Sequence, residues 1–202
     1  MHTLPRRLAL ACLLAGPALL AAGNGRVLAA EATEGSVGDP AAPVTMIEYS
    51  SLTCPHCAAF HTDTLPGLKQ RFIDTGKVRL VLRDFPLDES ALKGAMIAHC
   101  AGLERYVRFM DVFFAQQQSW ARAADPVAAL KQLAKLGGLG EEQVDACLAD
   151  KALEEAVLQT RLSGQQTFNI RSTPTFIIDG KAYPGNRSVD EFAAIIEPLL
   201  PQ

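Results

Sequence analysis

Two cysteines two residues apart, Cys54-Pro55-His56-Cys57, stand where an apolar strand pattern gives way to a helical one. The preceding run Val44-Thr45-Met46-Ile47-Glu48-Tyr49 is rich in β-branched and aromatic residues and reads as a buried strand. From Cys57 onward, Ala58, Ala59, Phe60, Leu65 and Leu68 fit a helix better. Thiols at this spacing can close a small disulfide ring. The first lies where unpaired backbone N–H groups and the helix dipole favour a thiolate. Pro55 suits the first helical turn because it has no N–H to leave unpaired. This is a place for redox chemistry, in a compartment that permits it.

The N-terminus addresses the compartment. Arg6-Arg7 precede an apolar run from Leu8 to Ala22, and small residues follow at Ala29-Ala30. This is the order of a secretory signal peptide. The run of 15 residues, broken by Gly16-Pro17, falls short of the ~20 that a spanning helix needs, so an uncleaved anchor is the weaker alternative. Cleavage is expected near residue 30, with export from the cytoplasm. Removing residues 1–30 takes away Arg6, Arg7 and Arg26 and no acid, so the net charge of −3 becomes −6. Such a balance gives no electrostatic case for nucleic acid or anionic membrane surfaces. The remaining 172 residues can build one domain, or one domain with a subdomain inserted. They keep four cysteines, Cys54, Cys57, Cys100 and Cys147, an even number that favours disulfide pairs in an exported chain.

Residues 31–43 are rich in Gly, Ala and Pro and read as a linker or an extended lead-in. A strand at 44–50 and a helix from 55 to about 74 follow, with Pro66 expected to kink the helix. Lys77-Val78-Arg79-Leu80-Val81-Leu82 reads as a second strand, and the three elements suggest a parallel βαβ unit. From 88 to about 166 the spacing is helical throughout. Asp125-Pro126 opens one helix, Gly137-Gly138 closes it, and Phe109, Phe113, Phe114 and Trp120 read as helical core. Strand texture returns at Ser172-Thr173-Pro174-Thr175-Phe176-Ile177-Ile178. Asp179-Gly180 marks a hairpin turn, and Ser188-Val189-Asp190-Glu191 a capping box for a last helix.

With these parts in order, the chain resembles the DsbA-like branch of the thioredoxin superfamily, the periplasmic thiol–disulfide oxidoreductases. The likeness rests on Cys54-Pro55-His56-Cys57, on Glu48 six residues earlier, on the helical insertion, and on Thr173-Pro174 before the terminal hairpin and helix. It implies an α/β thioredoxin fold with an inserted helical subdomain: residues 31–87 and 167–202 form the thioredoxin parts, and 88–166 the insert. It also implies roles. Cys54 is the exposed nucleophile, Cys57 the buried resolving thiol, and His56 helps to stabilise the Cys54 thiolate. Glu48 assists proton transfer around Cys57. Pro174 is a cis-proline facing the disulfide, and Thr173 offers its backbone to an extended peptide substrate. Cys100 and Cys147 pair as a second, structural disulfide.

Two departures from the family's pattern matter. Thr173 stands where many members carry Val, which is closer to the isomerase and reductase branches. Leu82 falls where the family places a lysine beside the buried acid. The resemblance implies a monomeric oxidase that donates its disulfide to unfolded exported proteins and is reoxidised by a membrane thiol oxidase of the DsbB type, without cofactor or metal. The alternatives are a reductase or isomerase and, in another class, a zinc-binding protein using Cys54, Cys57 and His61 with His56 or Cys100. Otherwise His61, four residues past Cys57, is expected to face solvent.

Overall fold

The computed structural model describes residues 34–201; the segment expected to be a signal peptide lies outside them. Its centre is a parallel pair, β2 (Val44–Ser50) and β3 (Val78–Asp84), with Val44 opposite Val78 and Glu48 opposite Leu82. Strand alternation sends Val44 and Met46 to one face, and Ile47 and Tyr49 to the other. On the far side of β2 runs β4 (Thr175–Ile178), antiparallel, and beyond it β5 (Lys181–Pro184). Asp179 and Gly180 both take positive φ, 49° and 70°, as a tight hairpin between β4 and β5 requires. Residues 172–174, expected to open this strand, lie before it, and the Thr173–Pro174 peptide is cis.

The expected lead-in contains a further strand. β1 (Gly35–Val37) pairs antiparallel with β3 and completes the sheet order β1-β3-β2-β4-β5. Three residues, one of them glycine, carry too little periodicity to announce a strand. What places them is the free edge of β3 and the Glu34–Arg83 ion pair at 2.6 Å.

The helix after β2, α1, is built from four joined segments: Pro55–Ala59, Phe60–Thr64, Leu65–Leu68 and Lys69–Ile73. The second and fourth are π-type turns. The Leu65 N–H donates to the Phe60 carbonyl five residues back. Pro66 supplies the physical reason: it has no N–H to give and its ring crowds the carbonyl four residues earlier. The expected kink is thus a widened turn just before the proline.

Six helices link β3 to β4: α2 (Glu89–Cys100), α3 (Leu103–Ala115), α4 (Gln117–Trp120), α5 (Pro126–Leu136), α6 (Glu141–Ala149) and α7 (Lys151–Phe168). Asp88, Asp125 and Asp150 cap α2, α5 and α7 by accepting from backbone N–H groups of the first turn. After β5, the Ser188–Glu191 capping box starts α8 (Val189–Ile196).

Phe60, Phe72, Phe176 and Phe192 fill the layer between the sheet and α1 and α8, and Phe109, Phe113, Phe114 and Trp120 are buried among the helices. The Trp120 indole donates to the Phe113 carbonyl at 2.7 Å. On the opposite face, Tyr49 packs on Phe85 and Phe168, and α7 approaches so closely that a Cβ at Gly164 would stand 2.6 Å from the Tyr49 ring.

Cys100 at the end of α2 is joined by a disulfide to Cys147 of α6, Cα to Cα 6.0 Å, across 47 residues of chain. Opening this loop in the Cys100→Ser, Cys147→Ser double variant should cost about 2–4 kcal/mol and lower the melting temperature. A calorimetric scan that finds the variant melting with wild type would remove any stabilising role for the crosslink.

Candidate active site

The end of β2 and the start of α1 set the two thiols. Cys54 is the N-cap, in extended conformation (φ −80°, ψ 118°), and Pro55 takes the first helical position. The Cys54 carbonyl accepts from the N–H groups of Cys57 at 3.1 Å and Ala58 at 3.2 Å, so the sulfur sits over the opening turn. Two neighbours hold this loop. Gln117 of α4 donates from Nε2 to the carbonyls of Leu52 (2.7 Å) and Cys54 (2.9 Å). Thr53 Oγ1 donates to Asp88 at 2.6 Å. Both Cys54 and Cys57 are free thiols here.

The Thr173–Pro174 segment closes over Cys54, and the Cys54 thiol donates to the Thr173 carbonyl at 3.3 Å. In consequence Cys54, expected to be exposed, keeps only 6 % of its surface, while Cys57 keeps none. The accessible order of the two sulfurs is as expected; the openness of the first is not.

The environments drive the thiols apart. A hydrogen bond from the Cys57 thiol lowers the pKa of Cys54 to about 5. Burial opposes that, while Thr173 and the N–H groups of Cys57 and His56 assist it. Cys57 goes the other way: burial, its own hydrogen bond to Cys54 and the Glu48 charge push it far above the ordinary thiol range. His56 is exposed, and it reaches Cys54 through its backbone N–H.

Glu48 is fully buried on β2, between Leu82 of β3 and Phe176 of β4. Its partner is His61, which does not face solvent: its side chain is 1 % exposed, Nε2 lies 3.1 Å from Glu48 Oε2, and Nδ1 lies 3.0 Å from Asp111 Oδ1 of α3. The ring stacks on Phe114, centroids 4.2 Å apart. Position i+4 shares a helix face with buried Cys57, and the π-type turn lets Phe60 and His61 both turn inward. Among the described residues no group of three or more His, Cys, Asp or Glu side chains is arranged to hold a metal ion. His61 in particular is turned toward the two carboxylates.

A dithiol at a helix start, facing a cis-proline beside a buried acid, can be set beside known proteins. The thioredoxin family profile matches residues 30–198. The chain belongs to the thioredoxin family. Within it the likeness is to DsbA proteins: the crystal structure of Wolbachia pipientis α-DsbA1 superposes with a TM-score of 0.76 at 33 % identity, covering 82 % of this chain and 90 % of that one. A Rickettsia felis protein named for protein-disulfide oxidoreductase activity is 32 % identical over 81 % of this chain and 59 % of its own length. The chain thus spans under two thirds of that relative. Disulfide bond formation protein D of Bacillus subtilis is 25 % identical, over 81 % of this chain and 76 % of that protein.

In this thioredoxin-family member, sequence reasoning missed Asp111 and Gln117, and read His61 as solvent-facing or a zinc ligand. The signal for His61 was available: a buried acid without its family lysine needs a cation, and i+4 from Cys57 points inward. Asp111 and Gln117 lie on distant helices, where no local pattern marks them.

Titration of the reduced protein, followed by thiolate absorbance, should show Cys54 ionising near pH 5. In Cys57→Ala the midpoint should move upward, because the largest lowering influence is gone. An unmoved midpoint would assign the acidity to the helix N-terminus and Thr173.

Proposed function

We propose that this protein is a periplasmic oxidase that introduces disulfide bonds into exported proteins through the Cys54–Cys57 pair. The observation that carries the reading is the asymmetry of the thiols: an acidic Cys54 over a helix start and a buried Cys57 beneath it. A thiolate stabilised in the reduced form alone makes the reduced protein the more stable one and its disulfide correspondingly oxidising.

A substrate thiolate attacks Cys54 Sγ of the oxidised protein. The Cys54–Cys57 bond breaks, and Cys57 leaves with the electron pair and takes up a proton. A second substrate thiolate then attacks the substrate sulfur of the mixed disulfide and expels Cys54 as a thiolate. The substrate has lost two electrons and the protein has gained them. The Thr173 backbone, held next to Cys54, would pair with an extended substrate, which suits unfolded chains. A membrane thiol oxidase of the DsbB type would restore the disulfide, with the protein acting as a monomer. Export rests on the N-terminal sequence pattern. The reductase reading keeps one observation in its favour, the threonine before the cis-proline.

Equilibration of Cys54–Cys57 against glutathione, with the Cys100–Cys147 bond intact, tests the direction. An oxidase should sit well above the roughly −270 mV of thioredoxin, with the reduced form melting higher than the oxidised. Because Cys54 ionises near 5 when folded and near 8.5 when unfolded, its contribution is fully present above about pH 8.5 and is lost as pH falls through about 5. The gap between the two melting temperatures should therefore shrink steadily on acidification. A thioredoxin-like potential with the oxidised form more stable would make this a reductase.

A further inference from the structure

Burying the Glu48 carboxylate in an apolar layer requires a compensating charge. The strand neighbours offer none, since β3 presents Leu82 and β4 presents Phe176. His61 takes that place from α1. Both of its ring nitrogens face carboxylate oxygens, which only accept, so the imidazolium is the form that satisfies both contacts. Burial lowers the pKa of His61, yet the Glu48 charge and the hydrogen bonds of Asp111 and Glu48 outweigh it and hold the value at about 9. The pair is not sealed. Asp111 keeps 50 % of its side chain exposed, and with His61 it borders an open groove of about 530 Å³ between α1 and α3. The other charged groups along that groove are Lys69 of α1 and Asp74 just after it. Inside, Glu48 Oε1 makes no hydrogen bond to the protein among the described residues, and the Glu48 charge is felt at Cys57.

We propose that His61 is a positioning residue that acts as counter-ion to Glu48 and, through Asp111, exchanges a proton with solvent each time Cys57 gains or loses one. The inference rests on the thiol–disulfide chemistry proposed above, but serves it in either direction. When Cys57 attacks a mixed disulfide at Cys54, its sulfur forms the new S–S bond, the substrate leaves as a thiolate, and the Cys57 proton passes to Glu48 Oε1. His61, now facing one carboxylate anion instead of two, releases its Nδ1 proton to Asp111 and the groove. It remains the neutral ring, donating from Nε2 to Glu48 Oε2. One proton enters the carboxylate and one leaves the histidine, so none has to cross the carboxyl group. In the reverse step Glu48 returns its proton to the departing Cys57 thiolate, and His61 takes one up at Nδ1.

Reaction of the reduced protein with oxidised glutathione separates the two sulfurs. At low concentration the second-order slope reports attack by Cys54, and at saturation the limiting first-order rate reports resolution by Cys57. Asp111→Asn should lower the limiting rate on the order of tenfold and enlarge its solvent isotope effect, while leaving the slope within about twofold. His61→Gln should lower the limiting rate further. The His61 ring, followed by NMR, should titrate near 9 in the wild type and lower in Asp111→Asn, because one of the charges holding it up is gone. If His61→Gln fails to fold around an unpaired Glu48, half-exposed Asp111 still carries the test. Limiting rates and pH profiles unchanged in Asp111→Asn would overturn the proposal. A thioredoxin-like potential would instead overturn the oxidase reading and leave this one standing.

Discussion

A carboxylate in the middle of the sheet's central strand sets more of this structure than any single hydrophobic contact. Glu48 lies between Phe176 and Leu82, in a layer that solvates no charge. An unpaired buried ion costs several kcal/mol, in the range of about 3–5 when one partner of a buried pair is removed. The chain meets that cost with His61, and the solution propagates. Residue 61 must face inward together with Phe60 and Cys57, which the π-type turn ahead of Pro66 allows. Helix α3 must then present Asp111 to the second ring nitrogen and Phe114 to the ring face. One polar chain therefore ties β2, α1 and α3 together at the place where the thiols sit.

The same helix start treats its two sulfurs in opposite ways because one is a cap and the other is core. Cys54 has the opening N–H groups and the Cys57 thiol as donors, so its anion is solvated by the protein. Cys57, one turn in, is fully buried and meets a like charge. Holding the first in place is the work of the helices between β3 and β4. Gln117 clamps the two carbonyls of the loop, and Asp88 both caps α2 and accepts from Thr53. These helices thereby contribute directly to the geometry of the dithiol.

What could be read from the sequence was local. The strand at 44–50, the parallel unit it opens, the Asp125 cap, the Asp179-Gly180 hairpin and the Ser188–Glu191 box all declare themselves within a few residues. They appear where the pattern places them. What escaped is set by partners far along the chain. β1 is defined by the free edge of β3, His61 by a carboxylate thirteen residues back and another fifty ahead, and the covering of Cys54 by a loop 119 residues away. The dithiol pattern names the chemistry; only the assembled chain shows which groups surround the buried thiol.

The placement of Asp111 in turn depends on how α3 is docked. Tyr106, on the same helix, donates to Asp84 at the end of β3 at 2.8 Å, and Asp84 is also held by His99 at 2.7 Å. His99 stacks on the Tyr106 ring, and the next residue, Cys100, carries the crosslink to α6. The Tyr106 ring also lies against Gly35, where a side chain would overlap it, so β1 is glycine at its point of contact with α3. Between Tyr106 and Asp111 the helix rises only about 7.5 Å, less than one and a half turns. Anything that loosens the Asp84 cluster therefore moves Asp111 almost directly. Sliding it by an ångström would open the 3.0 Å contact to His61 and leave the charge of Glu48 compensated by one hydrogen bond instead of a chain of two. The second polar cluster, the edge glycine and the distant disulfide thus bear on the thiols through a single helix.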